Sequence, residues 1–325
     1  MRTMDAAPQA YASLSGASMG TTWSACFLNP GLDPQRLRGQ VQAALDAIVA
    51  QMSTWDPDSA ISRLNRAEPG WYQLAPAFFK VLAQALDLAA ASEGAYDPTV
   101  GALVDLWGFG PPGPISAPPR AAAIDAALAR SGWRRTELNT EYRGVWQRGG
   151  LQFDLSSIAK GHGVDEMARV LADAGVRHCL VELGGELKAL GLNPAGKPWE
   201  VDVESPGLGP DRLPVRLCNT AIATSGHYRR YFTHQNRRYA HTVDPRSGMP
   251  LPDDLVSVTV IHPQCMMADG LATALLALGP EKGLLHARQN GLAALFMTKQ
   301  GGDFAVEWTD PFADLAGANT ALPCL

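Results

Sequence analysis

Three short segments, Trp199-Glu-Val-Asp-Val203, Leu213-Pro-Val-Arg-Leu217 and Val256-Ser-Val-Thr-Val-Ile261, alternate with a period of two, which suits strands with one covered face. They lie in the second half of the chain, away from the clearest helical patterns. Asp33-Pro34 reads as a cap and a first-turn proline, and Leu37, Val41, Leu45, Ile48 and Met52 then mark one apolar face of a helix ending near Trp55. A second helix starts at Pro76, carries Phe79, Leu82, Leu86 and Ala89, and stops at Ser92-Glu-Gly94. A Pro-rich loop at 111–119 precedes a short helix near 120–130. Beyond it the pattern predicts a strand at 151–155, a helix at 158–174 and a strand at 178–183, then helices at 269–278 and 281–289 and closing strands at 292–297 and 303–308. Strand runs and helix pairs segregate, which favours α+β over a doubly wound sheet. No Gly-x-Gly-x-x-Gly opens a helix after a strand and no Gly-x-x-x-x-Gly-Lys-Ser/Thr occurs, so Rossmann and P-loop readings fail.

Charge and length remove other classes. A formal charge of -5 over 325 residues, without a block of Lys or Arg, gives no electrostatic footprint for nucleic acid or an anionic membrane. No apolar run approaches the roughly 20 residues that span a bilayer. Cys26, Cys179, Cys218, Cys265 and Cys324 are scattered and odd in number, so they read as small core residues rather than a disulfide framework or a zinc site. Residues 1–18 show no secretory signal. A cytoplasmic protein is expected if the chain is full length, and a periplasmic or membrane-associated one if a leader was removed.

Chemistry concentrates in the stretch from Tyr239 to Thr273. His241 is a candidate base, although a histidine in a strand often only satisfies a backbone partner. Asp244-Pro-Arg-Ser-Gly248 looks like a turn, and its Arg246 is a candidate for contacting phosphate or acceptor. Asp269 and Thr273 are four apart on a predicted helix, so one hard cation could touch both oxygens, with Mg²⁺ favoured over Zn²⁺. From these two residues alone a helix-capping Asp is the commoner explanation. In Phe153-Asp-Leu-Ser-Ser-Ile-Ala-Lys-Gly-His-Gly163 a strand end meets a helix start, whose free N–H groups favour phosphate. Lys160 would add a point charge there and Ser157 a metal ligand, unless the serines merely cap the helix and Lys160 is solvated.

Taken in order, Met19-Gly-Thr21, Ser53 to Ser59 with Asn65, Gly94 to Gly101, Leu106-Trp-Gly-Phe-Gly110, Asp154 to Gly161, Gly184-Gly185, Thr224-Ser-Gly226, His241 to Pro250, and Ala268-Asp269 to Gly279-Pro280 strongly resemble the ApbE family of FAD:protein FMN transferases. The resemblance covers nearly the whole chain after residue 18. It implies an α+β, T-fold-related architecture, with an N-terminal extension over 1–18 and one catalytic domain over 19–325 whose two lobes hold FAD in the cleft between them. It further implies a Mg²⁺-dependent reaction in which FMN is joined through a phosphoester to a Thr or Ser hydroxyl of a target flavoprotein and AMP leaves. FAD contacts would fall on Met19, Trp55, Ala95, Tyr96, Asp97, Asp154, Lys160 and Val243. The metal would be held at Ser157, Asp269 and Thr273, and His241 matches the family's catalytic histidine, with Asp269 completing the reactive centre. Three features depart from the family pattern: Ala272 stands where some members carry a second acidic ligand, Trp55 replaces a frequent Tyr, and no leader or lipid-attachment cysteine is read before Met19, unlike in many exported members. Ser15-Gly-Ala-Ser18 resembles a flavinylated acceptor tetrapeptide, but Ala12 replaces the acidic residue expected before it, so the segment reads as a strand leading into Met19. An FAD pyrophosphatase yielding FMN and AMP shares every one of these residues. A non-catalytic FAD-binding protein would need neither base nor metal.

Overall fold

The computed structural model of the protein describes residues 10–203, 213–228, 230–300 and 303–316. The chain opens with a hairpin of β1 (Ala10–Ser18) and β2 (Thr21–Asn29). Ser18 pairs with Thr21, leaving Met19-Gly20 as a two-residue loop with φ of 50° and 72°, the doubly positive geometry of a type I′ turn. The part of the presumed extension from Ala10 to Ser18 is thus a strand of the folded body, as the reading of Ser15–Ser18 anticipated. Helix α1 (Pro34–Met52) follows, its first turn capped by the Asp33 carboxylate and its buried stripe made of the five apolar residues named above. It ends three residues before Trp55, because the following loop folds back to place Ser59 as the cap of α2 (Ala60–Asn65).

Next come β3 (Gly70–Gln73), α3 (Pro76–Ala91), α4 (Gly101–Leu106), α5 (Ala121–Leu128), β4 (Glu137–Asn139) and β5 (Gly144–Gln147), with β3, β5 and β4 forming a small sheet. The strand expected at 151–155 is not one. Residue 152 makes only an isolated bridge to Val100, because the Asn65 side chain takes both the N–H and the carbonyl of Phe153, and Asp154 N–H donates to Pro98 O. Helix α6 (Ser156–Asp173) leads to the antiparallel pair β6 (Cys179–Leu183) and β7 (Glu186–Leu190), then the hairpin β8 (Trp199–Val203) and β9 (Leu213–Leu217). β10 (Ala221–Gly226), the hairpin β11 (Tyr231–His234) and β12 (Arg237–Ala240), and β13 (Leu255–His262) precede α7 (Cys265–Leu278), α8 (Pro280–Gln289), β14 (Ala293–Gln300), β15 (Asp303–Trp308) and α9 (Asp310–Ala316).

Among the described residues the main sheet has eight strands in the order β1-β2-β6-β7-β10-β13-β14-β15, every pair antiparallel. It is covered on both faces. Val258, Val260, Ala294 and Phe296 join the core shared with α3, α6 and α7, while Ile222, Ile261 and Leu295 pack with Trp199, Leu217 and Phe312 from β8, β9 and α9. β13 is therefore buried on both sides, and the single covered face expected for 256–261 is corrected. Among the described cysteines Cys26, Cys179 and Cys265 are free, whereas Cys218 is disulfide-bonded, a bond that no spacing in the sequence announced. No helix among the described residues is long and apolar enough to cross a membrane.

Candidate functional site

Helices α6 and α7 cross so closely that a Cβ on Gly161 would lie 2.4 Å from Cys265 O and 2.8 Å from the Asp269 Cβ. Only glycine permits that approach. It lets Gly161 N–H donate to Asp269 Oδ2 at 2.9 Å and brings the N-terminal halves of α6 and α7 together. A second tie comes from Asp165 of α6, whose two carboxylate oxygens accept from the N–H groups of Cys265 and Met266, both at 3.0 Å. Asp165 thereby caps α7 from another helix. Asp269 is thus free of the capping role that its sequence position suggested: it sits in the second turn of α7, 3% exposed.

The two helices form one wall of a cavity of about 590 Å³. Met19, Trp55, Ala95, Tyr96, Asp97, Asp154, Ser157, Lys160, His241, Val243, Asp269 and Thr273 all line it. Met19 reaches it from the type I′ turn, a position that bends its backbone into the left-handed region, and Trp55 stands at the rim, 58% exposed. The Asp97 carboxylate is already committed, accepting from Thr99 N–H, Thr99 hydroxyl and Trp133 N–H at 2.7–2.9 Å, so it shapes the loop that presents Ala95 and Tyr96. Burial is the main force raising its pKa. Asp154 Oδ1 accepts from Ser156 N–H at 2.8 Å, which gives α6 its first cap and relieves Ser156 and Ser157 of that duty. Ser157, which lines the cavity, donates to the buried Tyr96 hydroxyl at 3.2 Å. Thr273 shares a 2.8 Å hydrogen bond with Ser225 at the end of β10.

Lys160 forms an ion pair with Glu186, the first residue of β7. Burial pulls the ammonium pKa down, but the carboxylates of Glu186 and Asp269 outweigh it and hold Lys160 above its ordinary value. Asp269 is shifted upward by burial, against the opposing pull of Lys160 and the Gly161 N–H. His241 stands at the other wall, just past β12, and not in a strand as expected. Its Nδ1 lies 3.1 Å from Arg230 O, and because a carbonyl only accepts, Nδ1 carries the proton and Nε2 keeps its lone pair. Burial and the nearby Arg230 guanidinium lower its pKa to about 4, so the imidazole is neutral at ordinary pH.

Arg246 is not part of this surface. Its guanidinium grips Asp244 at 2.9 and 3.1 Å and donates to Ala277 O at 2.8 Å, which braces the turn against the carbonyl end of α7. The structure therefore does not bring Arg246 to the cavity, where a contact with phosphate was expected of it. Glu186 was missed, because a lone acid after Gly184-Gly185 has no spacing partner in the sequence.

Among the described residues no three His, Cys, Asp or Glu side chains cluster as a metal site. What the cavity offers instead is the buried Asp269 carboxylate with the hydroxyls of Ser157 and Thr273, a hard oxygen set.

Residues 19–296 match the profile of the ApbE family. A FAD:protein FMN transferase of Klebsiella pneumoniae is 38% identical over 319 residues, covering 95% of this chain and 90% of its own length. One from Escherichia coli strain K12 is 36% identical over 307 residues, covering 92% and 87% respectively. Among solved structures, the apo form of the Pseudomonas stutzeri flavinyl transferase ApbE superposes with a TM-score of 0.90 at 37% identity, over 98% of this chain and 100% of that one. The flavin transferase ApbE from Vibrio cholerae gives a TM-score of 0.87 at 35% identity, over 95% and 100%.

Proposed function

The chain belongs to the ApbE family, and from that membership we propose that it is an FAD:protein FMN transferase, which moves FMN from FAD to a Thr or Ser hydroxyl of a target flavoprotein and releases AMP. The observation that carries this reading is the convergence, around one cavity of about 590 Å³, of Lys160, the oxygens of Ser157, Asp269 and Thr273, and the neutral His241. The volume lies in the range of pockets that enclose a cofactor-sized ligand. FAD occupies this cavity with its pyrophosphate beside Lys160 and the start of α6.

The oxygen set fits a Mg²⁺ ion held by Ser157, Asp269 and Thr273, which when bound supplies positive charge to the pyrophosphate. Ala272 leaves that set with one carboxylate, so more of the coordination shell falls to water. The remaining work is done by the chain's own groups. Lys160 offsets phosphate charge, and Trp55 and Tyr96 flank the ring system. His241 Nε2 takes the proton of the acceptor hydroxyl as its oxygen bonds to phosphorus, and the bond between phosphorus and the bridging oxygen breaks with AMP as the leaving group. Catalysis of this kind rests on positioning and charge, which a site built on two locked helices supplies.

Incubation with FAD, Mg²⁺ and a flavoprotein acceptor tests the reading. Covalent flavin fluorescence on the acceptor, with one AMP released per label, is the expected result. FMN and AMP with an unlabelled acceptor would instead show a pyrophosphatase, and FAD binding without either product a binding protein.

A further inference from the structure

Glu186 is left without a task by that mechanism. It follows the Gly184-Gly185 turn, is 3% exposed and lines the cavity. Oε1 takes the Lys160 ammonium, but Oε2 is buried with no hydrogen-bond partner among the described residues. An unsatisfied buried acceptor costs about 1–3 kcal/mol, more when charged, and native interiors rarely leave one. Of the charged groups beside it, Asp269 is itself a carboxylate and Lys160 is engaged on the other oxygen. The missing donor therefore enters with whatever fills the cavity. A phosphate oxygen does not qualify, because two anions at hydrogen-bond distance repel. A neutral hydroxyl does, and a flavin nucleotide carries hydroxyls on both sides of its pyrophosphate.

We propose that Glu186 is a positioning residue of the transfer site, holding the Lys160 ammonium through Oε1 and accepting a hydrogen bond from a sugar hydroxyl of the bound nucleotide through Oε2. The inference rests on the FAD reading above. It gives the flexible four-carbon stem of Lys160 a fixed register against the nucleotide, which a lysine facing solvent would lack.

The test measures binding without turnover, by flavin fluorescence quenching and calorimetry in EDTA with no acceptor. Glu186→Ala is expected to weaken FAD at least tenfold while the ligand-free protein unfolds at an unchanged or higher temperature, and Glu186→Gln to fall between Ala and wild type. FMN and ADP locate the donor: a loss shared by FAD and FMN only places it on the ribityl chain, and one shared by FAD and ADP only places it on the adenosine ribose. Either supports the proposal. Equal losses for FMN and ADP, or no loss when Glu186→Ala is introduced into Lys160→Met, would leave no hydroxyl at Oε2 and overturn it. So would affinity that tracks a fall in ligand-free stability. A wild-type protein that fails to bind FAD would refute the FAD reading itself, whereas tight wild-type binding with an indifferent Glu186→Ala refutes only this inference.

Discussion

At the scale of single residues, His241 shows how surroundings select a protonation state. Burial, then the Arg230 guanidinium, disfavour the imidazolium, and the Arg230 carbonyl fixes the proton on Nδ1. Its carbon-bound ring proton is expected to titrate near pH 4 by NMR, and the acid limb that this base imposes on kcat/KM to sit there, since the neutral form prevails above that pH; a titration near 6.5 would contradict the assignment. Asp269→Asn keeps an oxygen for the Gly161 N–H but removes the charge. It should weaken Mg²⁺ at least as much as loss of an outer-shell partner does, about 10–100-fold, with the melting temperature of the metal-free protein little changed; metal titrations followed by AMP release provide the check. The FAD and metal contacts implied by the resemblance all line the cavity, because the family pattern encodes three-dimensional neighbours that spacing alone does not. Arg246 and Glu186 were misjudged in opposite directions. Adjacency to His241 in sequence promoted Arg246, although the turn aims it at α7, while Glu186 has no sequence neighbour that would reveal its pairing with Lys160.

Between elements, the decisive contact is α6 against α7. Gly161→Ala places a methyl group on the Cys265 carbonyl and the Asp269 side chain, and neither backbone gives way cheaply. A destabilisation of about 1–3 kcal/mol in urea unfolding is expected, with FAD affinity and Mg²⁺ dependence both impaired because Ser157 and Asp269 move apart. Unaltered Mg²⁺ dependence in a stable Gly161→Ala would show that the site does not need this approach. The same junction explains which helix boundaries were legible. α1 carries its own cap and stripe, so its start and buried face were readable, whereas α7 begins four residues before the predicted Asp269 because its cap comes from Asp165, 100 residues away from Cys265. The false strand at 151–155 has the same origin: its hydrogen bonds go to Asn65 and Pro98, partners that no local window contains.

For the whole molecule, acid is a selective stress. Buried His227 and His241 have pKa values lowered to about 3 and about 4, in both cases chiefly by burial. The unfolded chain binds their protons first, so the stability they allow is complete above about 6.5 and is lost as pH falls toward those values. Glu186, raised to about 7 by burial, and Asp105, raised to about 6 by burial and Asp154, act with the opposite sign, since their stability is present below the ordinary carboxylate range and lost as pH rises through 6 to 7. The His227 contribution is isolated by His227→Gln: between pH 6.5 and 4 the wild type should lose stability relative to the variant by about 1.4 kcal/mol per pH unit, read as diverging melting temperatures. Parallel melting curves would place His227 in a more hydrated setting. The α+β class was legible from segregated strands and helices, but the strand order was not, because β2 finds its neighbour β6 only after the whole helical first half has intervened. That order also sets a timetable for synthesis. The β1–β2 hairpin leaves the ribosome roughly 150 residues before β6, about 8–30 s at ordinary translation speeds. Throughout that wait its inner edge is an unpaired strand edge, the kind of template on which a second chain can pair.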